Sequence, residues 1–156
     1  MEENKPDLKE AEEKKYQFQT IDNRFLPCVL YVEEDQYHIQ LVKKILDHLP
    51  SITILTASTS ESCLQIALRK KPELILVNLN LRGCDAFELM VQLQQHPMTR
   101  NIPVFALSTS ALPHEVEKAD KAGFKRFLSK PVKTHEFFNS VNAELEDIFL
   151  KKQLRS

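Results

Sequence analysis

The sequence predicts an α/β fold, a doubly wound five-stranded parallel sheet with helices on both faces, and three observations point to it. Five short apolar runs alternate with amphipathic segments between Pro27 and Phe149, the order that repeated strand-helix units produce. The runs are nearly continuous in hydrophobicity rather than strictly alternating, as strands covered on both faces are. The 156 residues, 42% of them hydrophobic, are enough for one continuous core.

Residues 1–25 carry Glu, Lys, Asp and Asn with few apolar positions before Phe25, too little to offset the entropy of ordering. They read as a mobile or loosely docked arm, ahead of one domain over residues 26–150 and a basic tail over 151–156. The five runs read as strands: Cys28–Val32, Ile52–Thr56, Leu74–Leu79, Pro103–Ser108 and Arg126–Ser129. Between them, Leu41, Val42, Ile45, Leu46 and Leu49 recur at helical spacing, as do Leu64, Ala67 and Leu68, and then Phe87, Met90 and Val91. A fourth helix is expected over Pro113–Ala122, ending at Gly123, where a left-handed cap meets no steric cost. The last helix carries Phe137, Phe138, Val141, Leu145, Ile148 and Phe149.

Composition narrows the function. The 21 basic and 22 acidic side chains leave a formal net charge of -1, so no global attraction to nucleic acid or to an anionic membrane follows. Apolar runs stop at about six residues, far short of the roughly 20 that span a bilayer, so no membrane insertion is expected. Cys28, Cys63 and Cys84 form neither a CxxC pair nor a disulfide framework, which suits a reducing cytoplasm. Cys28 and Cys63 read as core, and Cys84 as an inert thiol near the pocket. The chain has only two glycines, Gly83 and Gly123, which excludes a P-loop and a GxGxxG dinucleotide site. His38, His48, His96, His114 and His135 show no i, i+4 pairing, so zinc is not expected and they read as mostly surface residues.

In doubly wound folds the working site lies at the carboxyl ends of the strands, where strand order reverses. The first strand ends in Glu33, Glu34 and Asp35, the third in Asn78 and Asn80, the fourth in Ser108 and Thr109, and the fifth in Lys130 followed by Pro131. Asp35 also suits a helix N-cap. Carboxylates, amides, a hydroxyl and an ammonium gathered there suit a divalent cation and a phosphoryl group.

At these residues the chain resembles the receiver domain of two-component response regulators, from about Pro27 to Phe149. The resemblance rests on Val29–Asp35, Pro72–Gly83, Ile102–Thr109 and Gly123–Pro131, four motifs in the right order at the right strand ends. It implies a flavodoxin-like (βα)5 receiver fold. It matches Glu33 and Glu34 to the acidic pair, Asn78 to the phosphate-accepting aspartate, and Asn80 to the residue that ligates metal through its backbone carbonyl. Ser108 and Phe127 match the switch positions, and Lys130 the phosphate-binding lysine. The Lys130–Pro131 bond is cis in the family.

The departure that matters is Asn78. A carboxamide oxygen is neutral and delocalised into its C–N bond, so it cannot attack phosphorus as a carboxylate does. Glu34 replaces the usual aspartate at the second acid position, and with one anionic ligand lost, Mg²⁺ affinity is expected to be weak at best. No other cofactor is expected. Lys130 is then free to pair with Glu33 or Glu34, with the Asn78 amide hydrogen-bonded beside it. Ala86, where the family favours glycine, should start a helix readily.

These readings imply a non-enzymatic pseudo-receiver, a phosphorylation-independent module that works by binding. Its partners would be signalling proteins such as a histidine kinase or another regulator, with a homodimer through the fourth helix, fifth strand and last helix as a further contact. The alternative is a receiver switched by another input, such as a ligand, a partner, or modification at Ser108 or Thr109. An enzyme or flavin binder on the same scaffold lacks any visible nucleophile with an adjacent base.

Overall fold

The computed structural model describes residues 26–49, 51–130 and 132–155. The arm expected over residues 1–25 and the Lys130–Pro131 bond lie outside them. Five strands, β1 (Cys28–Val32), β2 (Thr53–Ala57), β3 (Leu74–Asn78), β4 (Val104–Ser108) and β5 (Arg126–Ser129), form one sheet in the order β2-β1-β3-β4-β5. All four pairings are parallel. The chain order therefore reverses between β1 and β3, and their carboxyl ends flank the crevice where such sheets place their sites.

Alternation along the strands divides the core in two. Val29, Tyr31, Leu74, Leu76, Phe105 and Leu107 face one helical layer. Their neighbours Leu30, Val32, Ile75, Val77, Val104 and Ala106 face the other. The first layer is α1 (Gln36–Leu46) and α5 (Thr134–Arg155), and the second is α2 (Ser60–Lys70), α3 (Ala86–Gln95) and α4 (Pro113–Ala122). Since β1, β3 and β4 bury both faces, their residues need no polar alternation. Edge strand β2 exposes Thr53 and Thr56.

Local chemistry sets the helix ends. Asp35 accepts from the Tyr37 and His38 amides to start α1. Thr59 and Ser62 form a reciprocal capping box on α2, and Asp85 accepts from Phe87 and Glu88 at α3. Pro113 opens α4 with a pre-set φ and no orphan N–H.

Several expectations shift. β2 starts at Thr53 and runs to Ala57. Val91 is 52% exposed, and the buried face of α3 runs through Ala86, Leu89, Met90 and Leu93. Leu68 is likewise exposed, while Cys63 and Ala67 fill the core side of α2. Cys28 is only half-buried. The boundary at residue 151 is not a break in structure, since Lys151, Lys152 and Arg155 form the exposed end of α5, the solvated helix end that their charge suits.

Gly123 closes α4 at φ 103°, and a Cβ there would run into the Gln94 side-chain amide. Gly123→Ala should therefore cost about 1–2 kcal/mol of stability in urea denaturation, most of it left-handed backbone strain because the Gln94 tip can move.

Candidate functional site

The ends of β1, β3 and β5 meet at one buried carboxylate. Glu33 is 2% exposed and sits just past β1, its amide still donating to the Ala57 carbonyl. Its Oε2 accepts from Asn78 Nδ2 at 2.7 Å and from the Glu34 amide at 3.2 Å. Its Oε1 accepts from Lys130 Nζ at 3.1 Å and lies 2.8 Å from His38 Nδ1. Two intervening strands separate β1 from β5, about 14 Å at the usual spacing, and the long lysine stem makes the crossing possible. Lys130 is itself 8% exposed and held in register by its amide, which donates to the Ser108 carbonyl.

We assign the His38 proton to Nδ1, because the carboxylate 2.8 Å away can only accept. Lys130 Nζ, 3.4 Å from the same nitrogen, then faces another donor and forms no hydrogen bond with it. Burial pushes the Glu33 carboxyl up. Hydrogen bonds from Asn78, Lys130 and His38, with the charge of Lys130, outweigh burial and hold it below the usual carboxylate value.

Asn78 is buried, and both ends of its amide are used. Its Nδ2 donates to Glu33 and its Oδ1 accepts from the Asn80 amide at 3.0 Å. Asn80 turns outward, and its Oδ1 accepts from the Thr109 amide at 2.9 Å and hydroxyl at 3.2 Å. This ties the β3 and β4 ends together. Ser108 is buried, with its Oγ accepting from the Ser110 amide at 3.1 Å. Of the two hydroxyl residues that end β4, only Thr109 is exposed.

Of the residues singled out in the sequence, Glu33, Asn78 and Lys130 converge directly. Glu34 is exposed and does not join the ion pair, so Lys130 has chosen Glu33. Phe127 is half-buried and packs against the core beside α4. Pro131 lies outside the described residues. His38, read as a surface residue, is a site residue. The signal lay in its place in the first turn after Asp35, where α1 leaves the end of β1.

The arrangement does not suit Mg²⁺. Both oxygens of Glu33 are engaged by nitrogen donors, and an ammonium lies 3.1 Å from Oε1, where a dication would be repelled. Among the described residues no group of three or more His, Cys, Asp or Glu side chains could hold a metal ion, and no helix is long and apolar enough to cross a membrane.

Two outcomes follow. Lys130→Met should lower stability at neutral pH by about 3 kcal/mol, since a buried carboxylate loses its counter-charge. The deficit should shrink in acid as Glu33 takes up a proton. In the native chain the Glu33 pKa is depressed on folding, so its contribution is complete above the unfolded value of about 4.5 and is lost as pH falls through the folded one. Urea midpoints measured across acid pH should show this slope in the native chain and a flatter one in Glu33→Gln.

The family model of the response regulator receiver domain matches residues 29–142. Among curated relatives, the polar-differentiation response regulator DivK of Brucella ovis is 27% identical over 119 residues, which is 76% of this chain and 96% of that protein. DivK of Brucella anthropi is 26% identical over the same shares. The structure of a response regulator from Desulfuromonas acetoxidans aligns with a TM-score of 0.69 at 22% identity, covering 77% of this chain and 97% of that one. The receiver domain of an HD domain-containing protein from Pseudomonas fluorescens gives 0.70 at 22% identity over 79% and 97%. At such identities the structures speak for the fold, and both share the five-stranded, doubly wound architecture. With the family match running from β1 into α5, the chain belongs to the response regulator receiver domains, modules of two-component signalling.

Proposed function

We propose that this receiver works without phosphorylation, as a pseudo-receiver whose output is contact with other signalling proteins. The observation that carries the reading is the Asn78 amide, which donates to Glu33 at 2.7 Å. A carboxylate at that position has no proton to donate, and would set a second negative charge against Glu33 in a buried site. The amide removes the nucleophile and closes the network at the same time. In this reading Glu33 and Lys130 form the internal pair that takes the place of metal and phosphate.

The partners that fit are a histidine kinase or another regulator, with the face of α4, β5 and α5 available for these contacts or for a second copy. Exposed Leu112 and Val116 beside half-buried Phe127 give that face its apolar character.

Incubation with acetyl phosphate and Mg²⁺ followed by intact-mass measurement is the test. The native chain should gain nothing, and a stable adduct of about 80 Da on it would overturn the proposal. Asn78→Asp, treated alongside, should acquire phosphate if the amide alone is the block.

A further inference from the structure

We infer that a basic groove at the opposite end of the sheet is the docking site for the chain's own acidic N-terminal segment. The groove lies between α5 and the residues leading into β4 and β5, and encloses about 600 Å³. Its floor is Ile102, Pro103 and Ile148, while Arg100, Lys125, Lys151, Lys152 and Arg155 line it against a single acid, Glu144. A smaller cleft of about 260 Å³, which shares Ile102, Pro103, Ile148 and Lys152, adds Lys71 and Glu73.

Part of this charge is balanced internally. Lys125 pairs with Glu144 at 2.8 Å, Lys151 with Asp147 at 3.0 Å and Lys152 with Glu73 at 3.2 Å. Arg100 and Arg155 have no carboxylate partner among the described residues. An apolar floor under a cationic rim fits an acidic peptide segment, whose stems cover the floor while its carboxylates meet the guanidinium groups.

The route of the chain selects the occupant. β1 begins at this same end of the sheet, and the Cys28 amide donates to Glu73 Oε2 at 2.6 Å while Lys152 holds Oε1 of the same carboxylate. Glu73 is thus shared between the entry to β1 and the wall of the groove. The amino end of β1, from which any preceding segment must start, therefore lies at the groove's edge. Residues 1–13 carry six acids, Glu2, Glu3, Asp7, Glu10, Glu12 and Glu13, against Lys5 and Lys9. The twelve residues from Lys14 to Phe25 can span up to about 40 Å when extended, ample to bring the acidic stretch back over the groove. A tethered segment acts at high effective concentration, so a modest charge match suffices for docking.

The test uses nuclear magnetic resonance of the full chain. Combined Glu10→Lys, Glu12→Lys and Glu13→Lys should move the amide resonances of Arg100–Ile102 and Lys151–Arg155 and leave those of Glu33 and Asn78 in place. Adding Arg100→Glu and Arg155→Glu to that chain should restore protection of the arm amides from solvent exchange. Dilution separates a second copy as occupant: groove shifts that change with protein concentration would overturn the proposal, as would a groove indifferent to the arm reversals. Added polyglutamate peptide should move the groove amides more readily in the reversed chain than in the native one. Equal response in both would show the groove unoccupied by the arm and would equally sink it.

Discussion

The site depends on satisfying one carboxylate sealed from water. An ionised acid at the interior end of β1 is tolerable only where donors surround it, and the fold brings three side chains and a backbone amide to Glu33 from different parts of the chain. Each donor comes from the last residue of a strand, from the segment that follows one, or from the turn that starts a helix. Sheet register therefore fixes the electrostatics: a slip of one residue in β3 would move Asn78 to the other side of the sheet and leave Glu33 without its amide. The Asn80 bridge to Thr109 serves the same end by fixing the β3 and β4 carboxyl ends relative to one another.

Much of this was legible in the sequence because the relevant signals are local. Continuous apolar runs marked all five strands, and Asp35, Pro113 and Gly123 marked helix ends through side-chain or backbone chemistry that needs no tertiary context. Glu33, Asn78 and Lys130 could be gathered because the strands of a parallel sheet must all place their carboxyl ends on one side. What remained hidden depends on side-chain direction. Val91 and Leu68 fit the helical spacing yet point outward, since the buried stripes of α2 and α3 are centred on their smaller neighbours Ala67 and Ala86 and on Leu89 and Leu93. Nothing in the order of residues says which of two adjacent acids turns inward, and only the fold shows Glu33 buried and Glu34 exposed. His38 was missed for the same reason, its role coming from where α1 starts and not from any partner in the sequence.

The two ends of the sheet have opposite electrical characters. At the carboxyl end, the central pair is internal and matched, Glu33 and Lys130 consumed by one another beneath the surface while Glu34 and Asp35 stay exposed beside them. At the amino end, cations crowd α5 and the approaches to β4 and β5, and the cations themselves stand at the surface even where, as at Glu144, the acid they meet is buried. Glu73 shows the difference well, since one carboxylate there serves both the first strand and the last helix. A receiver whose usual charged cleft is neutralised from within still presents a strongly charged surface elsewhere.

The span of the Glu33 network along the chain bears on how the protein assembles. Glu33 and Lys130 are 97 residues apart, and Glu33 and Asn78 are 45 apart, so closing these links costs more loop entropy than forming any single strand-helix unit. During synthesis the acid emerges long before its base. Until β5 brings Lys130 to the end of β1, Glu33 lacks its counter-charge, so the pair forms only once four of the five strand-helix units have been made and only α5 remains to cover that layer of the core.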